Sequence, residues 1–388
     1  MKETLIIKNF GPIKSIELDL RKINVLIGEQ ATGKSTIAKV LAVCRYFSYI
    51  VDYRREEVDK QGEFDINIQF FEGLRNWDID SYLTEKSEII YENSLYKFEY
   101  KNVSKEVDYT RINPISIPND FSKLLTQLKD LKKDELKGNR DDLFAILDWT
   151  PNENFYRLNV KKIMDNPLFI PAERVAQTLS GKNALVSNAI QDELFKINKI
   201  VRTHKNEILI EPLSITYKNT NSIGYVKKNN EESFYTLHNG ASGYQSAIPI
   251  VLAVKYYNEV EKRKRTFIIE EPEINLFPSA QKKLMAFFIK NVNENGHSFI
   301  IPTHSPYFLS AINDYLLAYK KGQINEKETN EIIKKEYWLN IEDVSCYQLK
   351  NGKAYPIIDK KSGLISDNII DDVSDDMNDE FENLLDIR

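Results

Sequence analysis

Gly28-Glu29-Gln30-Ala31-Thr32-Gly33-Lys34-Ser35 meets every fixed position of the pattern G-x-x-x-x-G-K-[ST]. Ahead of it, Ile23–Ile27 is nearly continuously apolar, as a strand buried on both faces is. Behind it, a helix is expected from Lys34 to Tyr49. Glycines let such a turn wrap tightly with its N–H groups pointing inward. The helix that follows brings its positive end to the same place. The loop is therefore expected to cradle the phosphates of ATP, with Gly28, Glu29, Gln30, Ala31, Thr32, Gly33 and Thr36 around them. Lys34 would reach the β- and γ-phosphates as a mobile cation, and the Ser35 hydroxyl would ligate Mg²⁺. The plain alternative is a glycine-rich turn between strand and helix. A chance match in a chain this long is on the order of one in a hundred from average residue usage. The loop alone does not separate a kinase from a GTPase, helicase or transporter.

Further elements narrow this. Thr266–Ile269 reads as a second buried strand and runs straight into Glu270-Glu271-Pro272-Glu273. Acids at the carboxyl end of such a strand meet a ligand bound at that edge. Glu270 is expected to hold Mg²⁺ through water, and Glu271 to polarise the attacking water. The alternative is a solvated acidic run. A third strand, Ser298–Ile301, leads into Thr303-His304-Ser305, where His304 could contact the γ-phosphate or serve structure alone. Between loop and acids lies Ala241-Ser242-Gly243-Tyr244-Gln245 before a helix from Ala247 to Glu261. A Ser-Gly pair at a helix start is an anion-binding device, though also a common turn.

Organisation follows from patterning. Leu5–Ile7 and Ile16–Leu20 alternate with period two about Phe10-Gly11-Pro12, which reads as an antiparallel hairpin. Leu168–Ile170 is a short strand, Asn183–Ile200 a helix, Ile208–Leu237 strands with a polar tip near Lys227–Glu232, and Ser279–Asn291 a helix. Strands alternating with helices imply an α/β fold with a mainly parallel sheet. Residues 51–165 differ in character and read as an inserted lateral lobe, with meandering strands over Ser87–Tyr109 and an amphipathic helix between Asp120 and Gly138. The expected divisions are 1–50 for hairpin and phosphate loop, 51–165 for the insertion, 166–345 for the second lobe, and 346–388 for a β segment with an acidic helix. In that last helix Val373, Met377, Phe381 and Leu384 recur at helical spacing among nine acids and one base. It is expected to dock on its own body, or else on a partner.

Composition excludes several classes. The 388 residues carry a net charge of −5, so charge does not propose a dedicated nucleic-acid binder. No apolar run approaches the roughly 20 residues that span a bilayer, and the N-terminus reads as a strand rather than a signal peptide. Cys44 and Cys346 form neither a disulfide framework nor a metal spacing, which fits a reducing cytoplasm.

In this order the elements resemble the ABC-type ATPase superfamily, with its P-loop NTPase fold and two-lobe head. More narrowly they resemble the branch of the structural-maintenance-of-chromosomes (SMC), RecF and overcoming-lysogenization-defect (OLD) ATPases. Ile7-Lys8-Asn9-Phe10-Gly11-Pro12-Ile13, Phe169-Ile170-Pro171-Ala172-Glu173-Arg174 and Glu270 through Pro278 look like segments of the compact ATPases of bacterial antiphage systems. The resemblance implies a head-to-head homodimer in which Ser242, Gly243 and Gln245 of one copy close over ATP held by Lys34 of the other. Phe277 stands where the family often has histidine, and Gln177 is a weak candidate for its Gln-loop. Glu173 and Arg174 read as an ion pair or an interface element. The chain ends too soon after His304 for the nuclease domain of OLD proteins, so a separate nuclease or toxin effector is expected. A RecF-like DNA clamp using Lys262-Arg263-Lys264-Arg265 is the alternative, and a transporter subunit fits the Glu-Glu-Pro-Glu segment poorly.

Overall fold

Period-two burial builds the entry to the fold. The computed structural model describes residues 3–45, 66–93, 97–101, 167–174, 187–204, 206–366, 368–385 and 387. β1 (Glu3–Phe10) and β2 (Ile13–Leu20) pair antiparallel, from Glu3 opposite Leu20 to Phe10 opposite Ile13. Ile13, Ile16, Leu18 and Leu20 point inward while Lys14, Ser15, Glu17 and Asp19 face water. Gly11 turns the corner at φ +52°, where an added Cβ would lie 2.5 Å from the Tyr82 ring.

β3 (Ile23–Ile27) is buried at all five positions and passes into α1 (Lys34–Cys44). Next come α2 (Ile66–Asn76), β4 (Glu88–Glu92), β5 (Lys97–Lys101), β6 (Leu168–Ile170) and α3 (Asn188–Thr203). A strand group follows: β7 (Ile208–Ile210), β8 (Ile215–Thr220), β9 (Ile223–Lys228) and β10 (Tyr235–Thr236). The second half holds α4 (Ser242–Glu259), β11 (Thr266–Ile269), α5 (Pro278–Asn295), β12 (Ser298–Pro302) and α6 (Pro306–Gly322). It ends with α7 (Glu326–Ile332), β13 (Val344–Lys350), β14 (Lys353–Pro356) and α8 (Ile369–Leu385).

Among the described residues, ten strands form one sheet in the order β5-β4-β1-β2-β14-β13-β3-β12-β11-β6. From β13 to β6 every neighbour is parallel. β7 to β10 form a separate antiparallel sheet. Each central strand feeds two cores, which is why its sequence is apolar without alternation. Val25, Ile269 and Ile301 join Val251, Phe288 and Phe308 on one face, the side of α4, α5 and α6. Leu26, Ile268 and Ile300 join Ile37, Leu41 and Leu74 on the other, the side of α1 and α2.

The expected strands at 23–27, 168–170, 266–269 and 298–301 are present, and the helix after the phosphate loop is described as far as Cys44. The described residues 66–93 and 97–101 do not stand apart as a lateral lobe. β4 pairs with β1 and β5 with β4, so both extend the main sheet, and α2 packs its Phe70 and Leu74 into the core beneath α1. The amphipathic helix expected between Asp120 and Gly138 lies outside the described residues, as does Gln177. α8 forms as its periodicity predicts; Ile370 at its start packs on the core, while Met377, Phe381 and Leu384 remain 65%, 63% and 65% exposed, so that part of the stripe does not dock on its own body. Among the described residues no helix is long and apolar enough to cross a membrane.

A buried ion pair anchors the far end of α1. Arg45 donates to both oxygens of Glu3 at 2.7 and 2.6 Å and to the Thr266 hydroxyl at 2.7 Å. The Tyr91 hydroxyl donates to the same Glu3 at 2.6 Å. Satisfied in this way, the group ties α1 to β1, β4 and β11, so the helix that carries Lys34 is fixed to the strand that carries Glu270.

Candidate functional site

The phosphate loop is shaped by its glycines. Gly28 has φ +151°, and a Cβ there would stand 2.6 Å from the Leu349 carbonyl oxygen. Gly33 caps α1 at φ +103°, with Ile13 and Pro12 of the N-terminal hairpin packed where its side chain would be. Lys34 turns back into this loop. Its Nζ donates to the carbonyls of Gly28 and Glu29, each at 2.7 Å. Burial pushes the Lys34 amine below its ordinary range, and the carboxylates of Glu271 and Glu273 pull it back up.

β11 delivers the acids. The Glu270 carboxyl is buried, with the Ser35 hydroxyl and the Ala172 N–H close to it. Among the described residues, its Oε1 is buried with no hydrogen-bond partner. Burial raises the Glu270 pKa, and the nearby Ser35 hydroxyl opposes the rise. Glu271 has φ +42°, an uncommon backbone for a residue with a side chain. Its N–H donates to the Pro302 carbonyl at 2.9 Å, and its carbonyl accepts from Arg174 at 2.7 Å. The two bonds hold this conformation, and the Glu271 carboxylate stays half-exposed at the mouth of the site.

β12 delivers His304. Its Nε2 lies 4.0 Å from Glu271 Oε1, which is attraction through space rather than a hydrogen bond. Burial lowers the His304 pKa, as does Lys34, while Glu271 opposes them. The imidazole is therefore neutral near pH 7. Sequence reasoning missed the group that places it. Glu273 accepts from the Thr303 hydroxyl at 2.8 Å and from the His304 N–H at 2.7 Å. The second Glu of the Glu-x-x-Glu span 270–273 was the available signal.

Lys34, Ser35, Glu270, Glu271 and His304 thus converge at the carboxyl edge of β3, β11 and β12. Ser242, Gly243 and Gln245 do not join them. Among the described residues no hydrogen bond or ion pair links 240–246 to the phosphate loop. Ser242 is exposed, and Gly243 packs so closely that a Cβ would stand 2.6 Å from the Asn275 carbonyl oxygen. Gln245 directs its amide to the carbonyls of His238 and Gly240 at 3.3 and 3.2 Å. Among the described residues Arg174 is neither ion-paired as expected nor at a surface. It is 1% exposed and donates to backbone carbonyls.

The family profile described as AAA ATPase domain matches residues 1–309. The chain belongs to that family. As an AAA ATPase domain it is an ATPase, and the converging loop and acids are where nucleotide chemistry has its residue types. Among solved structures, the SMC head domain from Thermotoga maritima is similar, at 12% identity and a TM-score of 0.41, covering 92% of this chain and 98% of that one. An SMC head bound to the C-terminal winged-helix domain of ScpA is similar at 10% identity and a TM-score of 0.42, covering 92% and 96%. A search of curated proteins finds no match.

A stability prediction arises from Glu270 in this ATPase. An unsatisfied buried acceptor costs about 1–3 kcal/mol. Because its pKa is raised, the folded state keeps a proton that the unfolded state has lost, so this residue's stability deficit appears as pH rises above 4.5. Glu270→Gln is expected to melt higher than wild type in nucleotide-free buffer with a chelator. The gain should grow from acid towards neutral pH. Melting curves of the two proteins across that range check it, and a gain that shrinks with rising pH contradicts it.

Proposed function

We propose that the chain is a Mg²⁺-dependent ATPase switch that works as a homodimer, with one copy completing the site of the other. The observation that carries this reading is the split of the site. One half converges on the phosphate loop, and Ser242, beside the buried Gly243, stands exposed at the start of α4 on the same chain. Ser35 and Glu270 would hold Mg²⁺, and the unpartnered Glu270 Oε1 beside the Ser35 hydroxyl supports that assignment. Bound there, Mg²⁺ supplies neutralisation of charge on the β- and γ-phosphates. Lys34 binds the same phosphates, and the backbone N–H groups of 28–36 orient them. Glu271 positions water in line with the γ-phosphate and takes its proton. Neutral His304 contacts the γ-phosphate, and Glu273 keeps it in place. Ser242 and Gly243 of the second copy close over the same phosphate.

Mixing two inactive variants tests the shared site. Lys34→Ala and Ser242→Arg should each abolish turnover alone. In a mixed dimer one site carries both lesions and the other carries neither. Turnover that reappears on mixing supports the reading, and a mixture as inactive as its components refutes it.

The output of the switch, in this reading, is a separate nuclease or toxin effector in cytoplasmic antiphage defence, released or engaged by a phage cue. α8 is the surface offered to it. Its acidic flanks would repel a second copy of itself and suit an apolar groove with a basic rim. The RecF-like alternative draws on Lys262–Arg265, where Arg263 and Arg265 lie over the Tyr257 ring at 5.5 and 4.8 Å. Hydrolysis stimulated by DNA and lost with salt would favour that alternative.

A further inference from the structure

Among the described residues Arg174 is one of the most buried large side chains, and its hydrogen bonds go to main-chain carbonyls rather than carboxylates. Four of its five N–H donors go to backbone carbonyls. Nε donates to Ser246 at 3.0 Å, Nη1 to Pro171 at 3.0 Å and Glu270 at 2.7 Å, and Nη2 to Glu271 at 2.7 Å. Burial pushes its pKa down to about 10, and the surrounding carboxylates of Glu273, Glu271 and Glu270 hold it charged. The planar fork therefore joins the N-terminal end of α4, which carries Ser242 and Gly243, to the backbone of both acids at the end of β11. A second strap runs beside it. The Ser246 hydroxyl donates to the Ile274 carbonyl at 2.7 Å, and Gly243 packs on the Asn275 carbonyl.

We infer that Arg174 couples the two ATP sites of the dimer, by making the Ser242-Gly243 turn of each copy and the Glu271 of the same copy move as one body. The inference rests on the shared-site reading above. In that arrangement Ser242 touches ATP held by the partner, whereas Glu271 acts on ATP held by its own chain. The guanidinium is rigid, and its acceptors are backbone atoms that cannot swing aside as side chains do. Displacement of the α4 turn when the partner's site fills is therefore passed to the Glu271 carbonyl. That carbonyl belongs to a residue with a left-handed backbone, whose conformation has few alternatives. The competence of each site thus rises with occupancy of the other, and a site whose partner is empty keeps a reduced rate. Arg174 is a positioning residue, since its hydrogen bonds go to main-chain carbonyls.

The test is the dependence of initial rate on ATP concentration for the full chain. Wild type should give a Hill coefficient above 1 and approaching about 2, the number of sites. Arg174→Lys keeps the charge and loses the fork, so the coefficient should fall to about 1 with kcat down roughly tenfold. Binding of a fluorescent ATP analogue should stay within about twofold of wild type, because nothing at the phosphate loop has changed. Ser246→Ala, a smaller lesion on the second strap, should lower the coefficient without unfolding the protein. A coefficient unchanged in Ser246→Ala and Arg174→Lys overturns the inference, however far kcat falls. Wild-type turnover with a coefficient of 1 also overturns it, and leaves the shared site to be judged by the mixing experiment.

Discussion

Glu271→Gln is expected to bind ATP as wild type does and to turn it over roughly 10²- to 10⁴-fold more slowly, the span that a positioned general base contributes. The amide matches the carboxylate in shape but takes no proton from water. Local structure should survive, because both bonds that hold this residue involve backbone atoms: its N–H on Pro302 and its carbonyl under Arg174. Two electrostatic consequences follow. Lys34 loses a carboxylate that sustains its charge, and His304 loses the one that opposes its lowered pKa. The imidazole is therefore neutral over an even wider pH range, so loss of turnover cannot be ascribed to its protonation. With hydrolysis blocked and phosphate contacts intact, the ATP-bound dimer should accumulate. Phosphate release measures the first effect, and light scattering with and without ATP measures the second. Turnover at the wild-type rate would remove Glu271 from the role of base.

The sequence was most legible where strands are buried on both faces. Ile23–Ile27, Thr266–Ile269 and Ser298–Pro302 each feed two cores, and that physical demand leaves an unbroken apolar run. The residues that end those strands were legible with them, since a parallel sheet brings its carboxyl ends together. Arg174 was not legible as a hub. Its acceptors are main-chain carbonyls up to 97 residues away, and a carbonyl leaves no mark in a sequence. The reading of residues 66–101 as part of a separate lobe failed for a related reason. Edge pairing of β4 on β1 is set by backbone hydrogen bonds, and the alternation of Ile89 and Tyr91 fits a strand in any sheet. In α8 periodicity revealed the helix and its apolar stripe, but a stripe does not say whether its partner is in the same chain. Gln245 shows the same limit at the scale of one side chain, as its amide is satisfied by the loop just before it.

Lys34→Ala is expected to weaken ATP binding on the order of 100-fold or more and to abolish measurable turnover. The ammonium makes two charge-assisted bonds to the carbonyls of Gly28 and Glu29, each worth about 1.5–3 kcal/mol in such a setting. A phosphate would take those donors over, and a 100-fold loss corresponds to about 2.7 kcal/mol, less than two such bonds. The wider electrostatics point the same way. Lys34 is the cation whose charge the Glu271 and Glu273 carboxylates sustain. Without it, triphosphate would approach two carboxylates with nothing between them, so repulsion adds to the lost attraction. The fold should tolerate the change, because α1 is held at its other end by Arg45 on Glu3 and along its length by Ile37 and Leu41 in the core. Titration with a fluorescent ATP analogue, read beside a melting curve, separates loss of binding from loss of structure. A variant that melts normally and still binds ATP within a few-fold of wild type would mean that the loop's N–H groups alone hold the triphosphate. The split site would then have to be rebuilt without Lys34 in it.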